Sequence, residues 1–140
     1  MNPQKKKDLQ YGLEQEDLLH PILEKKLGVL TKTHSNHTFD YYNDEYVVEL
    51  KSRPNLTIKT YPSLCFGKNK YLKGLEYITK GQKVLFIFNL KDGIYQWELK
   101  CDDLKECYFA PIIRRDRGRF EKQDGCYVKT EFISLFPFQS

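Results

Sequence analysis

Phe39-Asp40-Tyr41-Tyr42-Asn43-Asp44-Glu45-Tyr46-Val47-Val48-Glu49-Leu50-Lys51-Ser52-Arg53 reads as two apolar strands around a polar turn, and its reading decides the fold. Side chains alternate across a strand, so Val47, Glu49 and Lys51 share one face while Tyr46, Val48 and Leu50 share the other. Asn43-Asp44 predicts a two-residue turn, because both residues tolerate the positive φ that tight hairpins need. Closure there pairs Tyr42 with Glu45, Tyr41 with Tyr46, and Asp40 with Val47. Asp40 then lies on the face of Glu49 as its diagonal neighbour, with Cα atoms roughly 7–8 Å apart. A three-residue loop would throw Asp40 to the opposite face. Two carboxylates so placed, with a lysine beside them, can share one oxygen-loving cation.

A second Glu-x-Lys, Glu24-Lys25-Lys26, falls on an amphipathic helical stretch and reads as a solvated face. Glu49-Leu50-Lys51 differs, because its charges interrupt an otherwise apolar strand. Burying such charges is costly unless they are paired or bind metal. The plain alternative is an exposed edge strand carrying a Glu/Lys cross-pair.

Working outward, residues 1–10 are polar and basic and predict a flexible arm ahead of a single domain over 11–140. From Leu13 to Leu27 the positions Leu18, Leu19, Ile22, Leu23 and Leu27 form one helical face. Pro21 should kink or divide this helix, and Gly28 should end it. Strands are predicted over 29–33, 39–42 and 46–53, the last stopped by Pro54. A loop through Tyr61-Pro62-Ser63 leads to a second helix over 72–79. The continuous apolar run Val84-Leu85-Phe86-Ile87-Phe88, within 83–90, predicts a central strand buried on both faces. Asp92-Gly93 predicts a hairpin turn into 94–99. Shorter strands follow at 107–113 and 127–128, then a short helix near 131–136. The order predicts an α/β (α+β) domain with a four-to-five-stranded mixed sheet flanked by helices.

At Asp40 and Glu49-Leu50-Lys51 the chain resembles the PD-(D/E)XK phosphodiesterase superfamily, with its restriction-endonuclease-like core. The family order is a helix carrying Glu, a strand ending in Asp, a strand carrying Glu-x-Lys, then a helix and further strands. The resemblance covers the first two-thirds of the chain; the family's Pro is missing, since Phe39 precedes Asp40. It implies that Asp40, Glu49 and the Leu50 carbonyl ligate Mg²⁺ or Mn²⁺ and that Lys51 is catalytic. It also asks for a helix acid, for which Glu14 and Glu16 compete. At about 100° per residue, Glu16 lines up with Leu19, Leu23 and Leu27, while Glu14 falls toward solvent. The plain alternative for both is a favourable interaction with the helix dipole. Small members include Holliday-junction resolvases and phage- or virus-encoded endonucleases, which fit this length. The implied activity is a metal-dependent endonuclease acting on DNA, branched or structured, with RNA as the other substrate. A catalytically inactive nucleic-acid-binding protein on the same scaffold and a small protein-interaction module are the rival readings.

Composition agrees with a polyanionic partner. The 140 residues carry a net charge of +4, with ten Tyr and nine Phe, which argues against disorder. Cations cluster at Lys5-Lys6-Lys7, at Lys68, Lys70 and Lys73, and at Arg114, Arg115, Arg117 and Arg119 beside Phe120. Phosphate contacts of this kind supply most non-specific affinity for nucleic acid. Gly67-Lys68-Asn69-Lys70 opens the second helix, where free amides favour phosphate, and Arg53 follows Lys51 on its own face. His34 and His37 read as polar surface, and Trp97 as packing. Neither GxSxG nor a Walker motif is present. The four cysteines lack CxxC spacing, which argues against zinc. With no secretory signal and no bilayer-length apolar run, reduced thiols and an intracellular location, cytoplasmic or nuclear, are expected. A homodimer would let one small domain reach two strands.

Overall fold

The computed structural model describes residues 3–34, 37–100, 105–114 and 121–137. Its framework is the apolar run singled out above. This run forms a strand, Lys83–Leu90, whose Val84, Phe86 and Phe88 face one core while Leu85 and Ile87 face another. That strand lies parallel to Tyr46–Arg53, from Tyr46↔Lys83 to Arg53↔Leu90. In chain order the elements are α1 (Pro3–Leu27), β1 (Thr31–Lys32), β2 (Tyr41–Tyr42), β3 (Tyr46–Arg53), β4 (Ser63–Gly67), α2 (Lys68–Thr79), β5 (Lys83–Leu90), β6 (Gly93–Leu99), β7 (Cys107–Arg114), β8 (Glu121–Lys129), a 3₁₀ turn (Thr130–Phe132) and β9 (Ser134–Leu135).

The fold is α+β and the main sheet is mixed, as expected, but it has six strands in the order β1-β2-β3-β5-β6-β9. A second, three-stranded sheet, β4-β8-β7, goes beyond the sequence expectation. Helix α1 covers one face of the main sheet: Leu19, Leu23 and Leu27 pack with Tyr41, Val48, Leu50 and Ile87. On the other face Leu64, Phe66, Cys126 and Val128 of the small sheet, with Tyr71 of α2, pack on Val47, Phe86 and Phe88. Phe66 stacks on Phe86 at 3.9 Å between centroids. Gly74 lets α2 close on this layer, since a Cβ there would lie 2.5 Å from Leu99.

Several sequence expectations need correction. Residues 3–10, read as an arm, are the opening turns of α1. Pro21 does not divide that helix; it lies on the exposed side, where water can serve the carbonyl that its missing N–H leaves unpaired. The stretch read as a loop before the second helix contains β4, and α2 starts at Lys68 rather than 72. The β5–β6 turn is Lys91-Asp92, because Leu90 pairs with Gly93; Gly93, at φ 152°, supplies the conformation just after it. Near 131–136 the chain makes only one 3₁₀ turn and then β9. Trp97 is buried and donates to Glu106 at 2.9 Å, in keeping with a packing role.

Candidate active site

The hairpin turns one residue later than its sequence suggests, at Asp44-Glu45, which slips the pairing register by two. Tyr42 pairs with Val47 and Tyr41 with Val48. The cause is Asn43, whose Oδ1 accepts the N–H groups of Glu45 (2.9 Å) and Tyr46 (2.6 Å). This side-chain turn replaces a tight backbone turn. The Asn43 amide also donates to the carbonyls of Leu27 and Val29 at 3.0 and 3.1 Å, tying the turn to the end of α1.

Asp40 then steps out of the ladder. Its N–H bonds the Val48 carbonyl at 3.0 Å, although Val48 is already the partner of Tyr41. Such bulge-like steps re-aim a side chain. Asp40 is not the diagonal partner of Glu49 on one face, as the simple hairpin predicts. Its carboxylate instead accepts the Leu50 N–H at 2.7 Å and lies close enough to Glu16 for the two acids to influence each other.

Glu16 reaches Asp40 because α1 is anchored on both sides of it. The Tyr41 hydroxyl donates to the Glu16 carbonyl at 2.7 Å, and Asn89 donates to Gln15 at 2.9 Å. Of the two helix acids, Glu16 is the one brought to Asp40; Glu14 is exposed and bonds Gln10. Lys32 lies 3.7 Å from Glu16.

Glu49 comes from the other side of the sheet and is 2 % exposed, the one charged side chain in the core among the described residues. Two ammonium groups hold it, Lys51 at 3.1 Å on Oε2 and Lys70 at 3.4 Å on Oε1. Burial pushes Glu49 up to about 7, with the charge of Asp40 adding to the rise and Lys51 and Lys70 opposing it. Burial also pushes Asp40 up to about 6, reinforced by Glu16 and opposed by the Leu50 N–H and by Lys70. Tyr41 is raised as well, by burial and then by the charges of Glu16 and Asp40.

Asp40 therefore lies within electrostatic reach of Glu16 and Lys70, and of Glu49. As the side chains stand, no group of three or more His, Cys, Asp or Glu among the described residues is arranged to hold a metal ion. Asp40 and Glu16 are turned on each other, and Glu49 on its two lysines. The chemistry of the donors nonetheless fits a hard divalent cation: all are carboxylate oxygens, and Glu49 is held by ammonium groups that such a cation could replace.

Compared with known proteins, the chain matches no family model, no curated protein and no solved structure.

The remaining expected residues scatter. Lys70, expected as a phosphate contact at the start of α2, is turned inward onto Glu49 and also donates to the Thr38 carbonyl. Lys68 lies over the Phe109 ring at 4.7 Å, and Lys73 reaches Glu76 at 3.4 Å. Arg53 is partly buried and donates to the Ser52 carbonyl at 3.0 Å. Arg114 ends β7 opposite Glu121; Arg115, Arg117 and Arg119 lie outside the described residues. Leu50 meets Asp40 through its N–H. His37 bonds the Tyr77 hydroxyl at 3.0 Å, away from the carboxyls. Glu24 of the second Glu-x-Lys accepts the Leu30 N–H at 2.8 Å and serves the end of α1. Sequence reasoning missed Lys70 as a partner of Glu49; the sole signal was a lysine in the first turn of the next helix. No helix among the described residues is long and apolar enough to cross a membrane.

Proposed function

We propose that the protein is a Mg²⁺- or Mn²⁺-dependent endonuclease that hydrolyses phosphodiester bonds, with DNA as substrate. The observation that carries this reading is the gathering of Asp40, Glu16 and Glu49 around the end of the β2–β3 hairpin, with Lys51 in contact with Glu49. A carboxylate buried to 2 % exposure is costly to keep, and such groups concentrate at functional sites. The order α1, hairpin, α2, parallel β5 supports a restriction-endonuclease-like core.

Asp40, Glu49 and Glu16 would hold the cation, with the Leu50 carbonyl as a further oxygen donor. Once bound, the cation supplies an activated water and neutralises charge on the scissile phosphate. The chain's own contribution is positioning. Tyr41 and Asn89 fix α1, so that Glu16 is delivered to Asp40. The Leu50 N–H fixes the Asp40 carboxylate. Lys51, 24 % exposed, keeps donors free of Glu49 for an attacking water or for a phosphate oxygen gaining charge in the transition state. Lys6 and Lys7 are exposed on α1 and add to the electrostatic attraction for a polyanion. A symmetric dimer that spans two strands belongs to the same proposal.

The test is a cleavage panel with the full chain, in Mg²⁺, in Mn²⁺ and in chelator. Its substrates are supercoiled plasmid, linear duplex, single-stranded DNA, a four-way junction and RNA. Cleavage of DNA that needs the metal is expected. Binding without cleavage in either metal would instead identify an inactive nucleic-acid-binding scaffold, and cleavage of RNA alone would move the substrate class.

A further inference from the structure

We propose that the Lys70 ammonium is a built-in occupant of the acidic site: it takes the place of a divalent cation on Glu49 and must leave before that cation binds. This rests on the metal-site reading above and extends it to how the site is kept when empty of metal.

Both oxygens of Glu49 are already taken, Oε2 by Lys51 and Oε1 by Lys70. Each oxygen keeps a second lone pair, but a cation that takes the position on Oε1 now held by Lys70 must displace that ammonium group. The two lysines are not equally easy to move. Lys51 leaves the same strand two residues on, on the same face, so backbone alternation holds it beside Glu49. Lys70 arrives from a different element, the first turn of α2, on a flexible four-carbon stem. Its second partner is the carbonyl of Thr38, in the segment that leads into β2. Lys70 also remains 20 % exposed, so its ammonium has a path outward without unpacking the core. Its positive charge faces Glu49 at 3.4 Å, the service a bound cation would perform. Once displaced, the same ammonium lies at the mouth of the site, where an incoming phosphate would meet it.

The experiment is calorimetric titration of Mn²⁺ into the full chain as wild type, Lys70→Met, Lys70→Gln and Lys70→Arg, at one pH and low salt. Thermal unfolding of the same proteins in chelator and in saturating Mn²⁺ accompanies it. Removing a charged competitor that makes one charge-assisted hydrogen bond to Glu49 is expected to tighten Mn²⁺ binding about tenfold or more in Lys70→Met. Lys70→Arg, which keeps the charge, should bind Mn²⁺ as wild type does. In chelator Lys70→Met should melt below wild type, and saturating Mn²⁺ should raise its Tm by more than it raises that of wild type. Lys70→Gln serves where Lys70→Met fails to fold in chelator, since its amide can still donate to Thr38 while lacking the charge. Mn²⁺ binding in wild type with equal or weaker binding in both neutral variants overturns the Lys70 inference and leaves the metal site standing. Absence of Mn²⁺ binding in wild type and in every variant overturns the metal-site reading itself.

Discussion

Asp40→Asn should lower metal-dependent cleavage by on the order of a thousandfold while leaving the metal-free protein more stable at neutral pH. Asn has the volume of Asp, its Oδ1 can still accept the Leu50 N–H, and its amide can donate to Glu16. The hairpin and α1 therefore stay where they are. The charge that would hold a cation is lost. The stability half follows from linkage. Asp40 rises from 3.8 to about 6 and Glu49 from 4.5 to about 7 on folding. Between the ordinary carboxylate range and pH 7 the native chain thus binds more protons than the unfolded chain. The stability these two groups contribute in chelator is then present in full at acid pH and is lost as pH rises through that window. Each group contributes a loss on the order of 3 kcal/mol above it. The Asp40→Asn substitution removes one of the two, so urea unfolding in chelator should show a shallower decline from pH 5 to pH 8 and a higher midpoint at pH 8. A variant that is inactive and also less stable at pH 8 would contradict the account, because Asp40 would then be a structural acid.

Lys51→Met should lower cleavage by about a hundredfold to a thousandfold while Mn²⁺ and DNA binding persist. Lys51 touches Glu49 at 3.1 Å but is no ligand, and Lys70 remains to balance Glu49. Met matches the length of the lysine stem, so packing beside β3 is retained. The split between lost turnover and kept binding separates a group acting on the reacting phosphate from one that only holds the site together. Full activity in Lys51→Met would remove it from the chemistry; loss of Mn²⁺ binding would recast it as a positioning residue.

The parts of the fold legible in the sequence are those fixed by local pattern. β3 and β5 occupy the predicted spans, 46–53 and 83–90, because β-branched and aromatic residues cluster in both, at Tyr46-Val47-Val48 and at Val84-Leu85-Phe86-Ile87-Phe88. The helical face Leu19-Leu23-Leu27 lies in the core, and the same phase separates Glu16 from Glu14. What was not legible depends on distant partners. β4 pairs with β8, Ser63 against Lys129, and five residues ending in Gly67 carry no sign of so remote a ladder. The bulge at Asp40 arises because the Asn43 side chain competes with the backbone for the turn, a choice that both turn geometries leave open in the sequence. Lys70 turns inward only in the folded chain, where α2 is packed against β5 and β8; in the sequence it is one helix lysine among several.

The most direct test is a crystal grown in Mn²⁺, with the anomalous signal of the ion used to locate it. The account predicts a peak in bonding contact with the carboxylates of Asp40 and Glu49, with Glu16 beside it and the Lys70 ammonium drawn off Glu49. Saturating Mn²⁺ with no peak at these carboxylates, and Lys70 still seated on Glu49, would contradict it.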